Sequence, residues 1–549
     1  MSTTNSHDAS NLRSSSLSSL TSLVGLQLSS RLLTFILNQA LFRLASPKAY
    51  GVAAIQFELV LSTILFLSRE GVRGALLRIG TGKEKGGNRA LNVGFVPVII
   101  GIPLALCTTV LYASYASAET KSQGMFRESV AVYALAAILE LMAEPMHNMA
   151  MAELKTHIRV RAEGVGITFK TIVTFIVLFY DYITRSEHDL ALLSFALGQL
   201  AYGACVFAIY AWSYNGFPRL RGTTGSSWSL ASYFDMEVLT LSMTMTSQSL
   251  VKHFLTEGDK FILSWFSPLE DQGGYAVAVN YGSLIARIIF QPIEETLRLY
   301  FSKTLSDVTS GKANTEQKRS ALSDASRALI GLLHIQVSAS LFVLCFGTQY
   351  LALVLQVFLP AQYLKTSAPR ILSAWIWYIP VLAINGGLEA FLASAAGKKD
   401  VNRQSGWMIV FSFIYIGSAV GLYRQNYGDV SLVYANIINL SARIAYVVFF
   451  STSFFRRHKA ESLLTWRKVF PSFSFLVALL ASLVGVRTSE TTWRATEIVK
   501  IQGRRAFFHR AVIVHVGLGA TLALASLGVW WRSSREFLST FRSRKAKTN

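Results

Sequence analysis

Charge is scarce in this chain. Of 549 residues, 15% are Asp, Glu, Lys or Arg, against about 25% in soluble domains. Cysteine is almost missing: Cys107, Cys205 and Cys345 each fall inside an apolar run, which excludes a disulfide framework. The nine histidines show no metal-ligand spacing, so no metal centre and no cofactor are expected. Gly80-Thr81-Gly82-Lys83 falls short of a phosphate loop, because Leu77 stands where that pattern needs glycine and Glu84 where it needs Ser or Thr. Without a nucleotide-hydrolysing module, any movement of a substrate is passive or ion-coupled, the coupling ion being unspecified. No catalytic constellation stands out, so the chain is not read as an enzyme. Residues 1–19 lack the apolar core and cleavage site of a signal peptide. Their Ser-rich, polar composition reads as a disordered cytosolic tail.

What the chain has is apolar length. It is 52% hydrophobic, with a mean hydropathy of +0.40, and windows of roughly 20 residues read as fourteen spans. They cover 20–44, 50–68, 93–117, 128–148, 165–184, 190–213, 234–256, 274–299, 328–349, 371–395, 405–423, 430–455, 469–486 and 511–531. The fold class is an all-α polytopic membrane protein. A net charge of +21 invites a nucleic-acid partner, but topology explains it without one. With both termini cytosolic, the cytosolic segments hold 31 Lys and Arg and the opposite side 14, the usual positive-inside bias. One loop runs against it: 487–509 carries Arg487, Arg494, Lys500, Arg504 and Arg505. Either that loop touches anionic headgroups or the last two spans are misplaced. The C-terminal Lys545-Ala546-Lys547-Thr548-Asn549 is similar to a dilysine retrieval signal of the endoplasmic reticulum.

A duplicated stretch sets the organisation. Arg31 and Ser46-Pro47 return 221 residues later as Lys252 and Ser267-Pro268, and Tyr50-Gly51-Val52-Ala53 returns after a short slip as Tyr275-Ala276-Val277-Ala278. Spans one to six (20–214) form one lobe and spans seven to twelve (234–455) another, joined by a cytosolic loop at 215–233. Six spans per lobe make the repeat parallel. Spans thirteen and fourteen (456–532) form an appendix before a basic cytosolic tail at 533–549, and 300–327 reads as a long basic loop.

Polar residues inside these spans are costly in lipid and mark functional positions by default. In span eight, Asn280, Ser283, Arg287, Gln291, Glu294 and Arg298 recur at steps of three and four, one face of a helix. Pro292 should kink that helix and free carbonyls toward a cavity. Span one repeats the pattern with Gln27, Arg31, Thr34 and Asn38. Glu58 lies in span two, Glu140 and Glu144 one turn apart in span four, Asn385 and Glu389 in span ten, and Asn439 and Arg443 in span twelve. A cavity between the lobes would then gather Arg31, Lys252, Arg287 and Arg443, and clustered cations in a low dielectric want an anion such as a diphosphate. Gln27, Asn38, Glu58, Glu140, Glu144, Asn280, Gln291, Glu294, Arg298, Asn385, Glu389 and Asn439 would line the cavity or balance its charge. Arg69, Arg73 and Glu257 would sit at its rims. Glu140 and Glu144 either carry a proton or Na⁺, or simply pair with Lys170 and other cations. Gly417 to Gly421 is a GxxxG match read as helix packing.

Several strings resemble one family: Ser30-Arg31-Leu32-Leu33-Thr34-Phe35, Leu67-Ser68-Arg69-Glu70-Gly71-Val72-Arg73, Ala143-Glu144-Pro145, Leu255 to Lys260, Ile289 to Glu295, and Ala383-Ile384-Asn385-Gly386. They look like the eukaryotic Rft family, which is implicated in protein N-glycosylation as an oligosaccharide-lipid translocator of the endoplasmic reticulum. The resemblance implies the fold of the multidrug, oligosaccharidyl-lipid and polysaccharide exporters: two six-helix lobes around a V-shaped cavity worked by alternating access. The substrate it implies is a dolichyl-diphosphate oligosaccharide, with membrane lipids as surroundings. Its bacterial lipid II flippase relative has cavity arginines on the first and eighth helices, where Arg31 and Arg287 stand by position. Two extra helices there hold a lipid tail, a role this implies for spans thirteen and fourteen. Two other readings accompany the flippase: a protein that binds the lipid-linked oligosaccharide without moving it, and a drug or cation antiporter, which a cationic cavity disfavours.

Overall fold

A computed structural model of the chain describes residues 37–79, 87–184, 189–220, 233–309 and 314–542. Among them there is no strand, and twelve helices are long and apolar enough to cross a membrane. The first expected span lies outside the described residues except for a helical stretch at 37–44. The seventh is the 21-residue helix Met236–Thr256, whose serines, threonines and charges keep it out of the twelve. The chain forms two compact units, meeting at residues 276 and 277.

The first unit holds α1 (Pro47–Arg78), α2 (Arg89–Tyr115), α3 (Phe126–Ala152), α4 (Thr156–Thr184), α5 (Ala191–Ser213), α6 (Met236–Thr256) and the short α7 (Gly258–Phe266). Ser46 caps α1 by accepting from the Ala49 N–H, with Pro47 at the first helical position. A π-turn then runs over Val52–Phe57. The core is built from Phe57, Leu61, Ile64, Tyr133, Leu141, Leu192 and Phe195. Lipid competes for apolar surface, so close packing and small residues decide which helices meet. A Cβ at Gly71 of α1 would collide with Thr246 and the Ser242 carbonyl of α6, and one at Gly198 of α5 with Thr174 of α4. Helix α6 thus lies directly along α1, and the first unit extends past the 215–233 connection.

The second unit takes up most of α8 (Leu269–Val308), then α9 (Thr315–Phe358), α10 (Ala368–Ala395), α11 (Lys399–Tyr427), α12 (Val430–Arg457), α13 (Phe473–Trp493), the eight-residue α14 (Ala495–Gln502) and α15 (Arg510–Arg542). The expected loop at 300–327 is mostly helix, since α8 and α9 continue into it. Phe301, Leu305 and Val308, with Leu322, Ala325 and Leu329, fall at helical spacing and bury against Phe391, Phe454 and Phe455. Helix α8 contains a π-turn at Ala286–Phe290, just before Pro292. Proline lacks an N–H and its ring clashes with the carbonyl four residues back. The wider turn relieves that clash without breaking the helix, and it carries Arg287.

Candidate functional site

Lys170 on α4 starts a chain of polar contacts inside the first unit. Its ammonium can only donate, and its Nζ lies 2.6 Å from Gln199 Oε1 on α5. The Gln199 amide therefore turns its Nε2 toward α3, where it donates to Glu140 Oε1 at 2.7 Å. The other Glu140 oxygen lies 3.8 Å from Arg69 Nη1 on α1. Arg69 reaches on to Glu144 Oε1 at 3.3 Å. Arg73, one turn further along α1, closes a two-point grip on Glu144, with Nε donating to Oε2 at 2.8 Å and Nη2 to Oε1 at 2.5 Å. Glu144 is 1% exposed and Glu140 6%. Two carboxylates one turn apart thus receive different partners. Glu144 is clamped by two guanidinium groups, while Glu140 is held by an amide and one distant arginine. Pairing and hydrogen bonding are what make such burial tolerable.

Two cavities flank the clamp. One, of about 440 Å³, is lined by Glu58, Arg69, Glu70, Glu140, Lys170 and Glu257, with Tyr202 and His253. The other, of about 310 Å³, is lined by Glu70, Arg73, His147 and Arg159. Arg69 borders the first, Arg73 the second and Glu70 both, so the Glu144 clamp stands between them. Four carboxylates against two cations make the larger cavity acid-rich. Glu58 makes no ion pair or hydrogen bond among the described residues.

In the second unit Arg443 Nη2 of α12 donates to Glu389 Oε1 of α10. Asn385, one turn before Glu389, is 4% exposed, and its Oδ1, the Asn439 Oδ1 and the Arg443 Nε have no hydrogen-bond partner among the described residues. Glu294 pairs with Arg298 at 3.1 Å. Arg287 is exposed and its Nη2 donates to the Asn280 carbonyl at 3.1 Å. Gln291 is exposed as well and donates to Glu295 at 3.3 Å. A third cavity, about 670 Å³, lies between α9, α10 and α13. Its lining is largely leucine, with Trp377 and Cys345, and Arg487 at one side.

Outside the membrane-spanning helices, Glu257 pairs with Lys260 at 2.8 Å, and Asp259 Oδ2 accepts from Tyr275 Oη at 2.7 Å. Burial raises the Asp259 pKa to about 6, against the lowering effect of the Tyr275 hydroxyl.

Gln27, Arg31 and the Lys252 side chain lie outside the described residues, and Asn38 is half-buried on the 37–44 helix. Lys170, expected to pair with Glu140 or Glu144, reaches Glu140 through Gln199, which the charged stripes do not single out. Gln199 was accessible to the same rule, as a lone amide in an otherwise apolar stretch. Gln56 is a second such case. It donates to Gln272 Oε1 at 3.0 Å and accepts from Tyr112 Oη at 2.7 Å, which ties α1 to α2 and to the start of α8.

Comparison with known proteins agrees on family and fold. A sequence-family model described as Rft protein matches residues 15–544. The Man(5)GlcNAc(2)-PP-dolichol translocation protein RFT1 of Yarrowia lipolytica is 32% identical over 537 residues, covering 87% of this chain and 76% of that protein. The protein of the same name from Eremothecium gossypii is 31% identical, covering 91% and 92%. The one from Saccharomyces cerevisiae is 31% identical, covering 79% and 82%. Among solved structures, the inward closed conformation of the lipid II flippase MurJ superposes with a TM-score of 0.53 at 14% identity, covering 93% of this chain and 99% of that one. An inward-facing multidrug resistance MATE family transporter gives 0.52 at 14% identity, covering 79% and 99%. The fold is of the MurJ and MATE type.

Proposed function

The chain belongs to the Rft protein family, and we propose that it moves a dolichyl-diphosphate oligosaccharide, the pentamannosyl-chitobiose intermediate, from the cytosolic to the lumenal leaflet of the endoplasmic reticulum membrane. The observation that carries this reading is the similarity, at about 30% identity over most of the chain, to proteins named for translocating that lipid. In this reading both termini are cytosolic, the protein changes no covalent bond, and alternating access between two six-helix lobes drives the movement.

The diphosphate is held by Arg31, Lys252, Arg287 and Arg443. Guanidinium groups match phosphate oxygens with paired, charge-assisted hydrogen bonds. Glu389 keeps Arg443 oriented while no phosphate is bound, and the incoming anion takes its place. Among the described residues the Arg443 Nε has no hydrogen-bond partner, which suits a group that awaits a second acceptor. The acid-rich cavity of the first unit repels a diphosphate. Glu58, Glu140 and Glu144, like Glu294 and Glu389, balance charge or gate instead, with Arg69, Arg73 and Glu257 at the rims. The leucine-lined cavity beside α13 suits the polyisoprenyl chain.

A protein that holds this lipid without moving it would use the same arginines. Two measurements on one preparation separate the readings. Purified protein should be protected against thermal unfolding by the lipid-linked oligosaccharide, and proteoliposomes containing it should pass the lipid between leaflets faster than protein-free vesicles. Protection without faster passage would make the protein a holder.

A further inference from the structure

The connection between α13 and α15 joins two membrane-spanning helices, so it must lie at the membrane surface. It is also the segment whose cations run against the charge bias of the chain. In the structure it is a fixed element. Arg494 turns the chain in a left-handed conformation with φ of 44°, and Gly503 ends α14 with φ of 60°. Thr496 N donates to Glu490 Oε1 at 2.9 Å. Arg504 donates Nε to the Gln356 carbonyl at 3.3 Å and Nη2 to the Val357 carbonyl at 3.2 Å, satisfying acceptors at the end of α9 that have no helical partner. Ala495, Val499 and Ala506 pack with Leu353 and Val512.

The opposite side of this element has two features that plain solvation does not explain together. Ile501 is 84% exposed and Phe508 88%. Beside them, Lys500 and Arg505 are exposed and form no ion pair among the described residues. Protruding apolar side chains next to free cations, on an element level with the headgroups, match the chemistry of a segment lying in an anionic membrane surface. We propose that 494–509 is a headgroup-binding anchor. Lys500 and Arg505 bind the phosphates of anionic phospholipids, while Ile501 and Phe508 enter the acyl boundary, and this fixes α13 and α15 relative to the bilayer. The anchor does not depend on the translocation reading.

The test uses the full chain in nanodiscs of phosphatidylcholine alone, or with phosphatidylinositol or dolichyl phosphate added. Phosphatidylinositol should raise the wild-type Tm by about 2–4 °C. K500Q/R505Q should keep the wild-type Tm in phosphatidylcholine and lose more than half of that gain. The control K459Q/R467Q, which removes two exposed cations of the α12–α13 connection, should keep the gain. Equal losses in the two variants, or no gain in the wild type, would overturn the proposal. So would a gain confined to dolichyl phosphate, which would assign these cations to a polyisoprenyl lipid.

Discussion

Gln199 donates Nε2 to Glu140 Oε1 at 2.7 Å while its own Oε1 accepts from Lys170. One neutral amide thereby links a buried carboxylate to a half-buried ammonium on a third helix. Replacing it by leucine keeps the volume and leaves both charged groups without that partner. Q199L should lower the unfolding free energy by about 1 kcal/mol, the scale measured for interhelical hydrogen bonds in membranes. Thermal unfolding in detergent checks this.

The grip of Arg73 on Glu144 predicts a larger effect. R73A leaves a buried carboxylate with only Arg69, and removal of one partner of a buried pair costs about 3–5 kcal/mol. R73K restores the charge without the two-point geometry and should recover only part. R73A/E144A should be less damaging than the sum of the single changes, a coupling that a double-mutant cycle on Tm reads directly.

Asp259 gives a pH signature. Its folded-state pKa of about 6 lies above its ordinary 3.8, so the folded state binds this proton more tightly than the unfolded chain. Its contribution to stability is fully present below about pH 4, falls as pH rises toward 6, and is gone above it. D259N keeps an acceptor for Tyr275 and removes the titration. The Tm difference between D259N and wild type should therefore grow in the variant's favour from pH 4 to pH 7; a difference independent of pH would contradict the assignment.

Arg443 and Glu389 test the anion site. R443A should weaken binding of the lipid-linked oligosaccharide by roughly tenfold, about the value of one charge-assisted bond. E389Q should leave binding intact or strengthen it, since it removes the competitor for Arg443. Ligand-induced shifts in Tm for the two variants give the comparison.

Much of the fold was legible in the apolar windows, because lipid demands continuous apolar helices and admits little else. The continuation of α8 and α9 into 300–327 was not. Phe301, Leu305, Leu322 and Leu329 are embedded among charges there, and window averaging hides a stripe that spacing reveals. Glu140, Glu144, Arg69 and Arg73 were recognisable as costly residues in lipid, but their pairing was not. Arg73 and Glu144 are 71 residues apart, and no spacing rule connects them. Gln199 stood outside the stripes for a different reason, since a solitary amide in an apolar helix creates no periodic signal. The spacing of the polar stripe of α8 was legible, but the pairing within it, Glu294 with Arg298, was not.

Movement of the lipid is read directly from the initial rate at which lipid-linked oligosaccharide crosses the bilayer in proteoliposomes of wild type, R443A and K500Q/R505Q at matched protein density. Wild type and K500Q/R505Q should exceed protein-free vesicles, and R443A should lose that gain. Equal rates in all three preparations and in empty vesicles would contradict such movement.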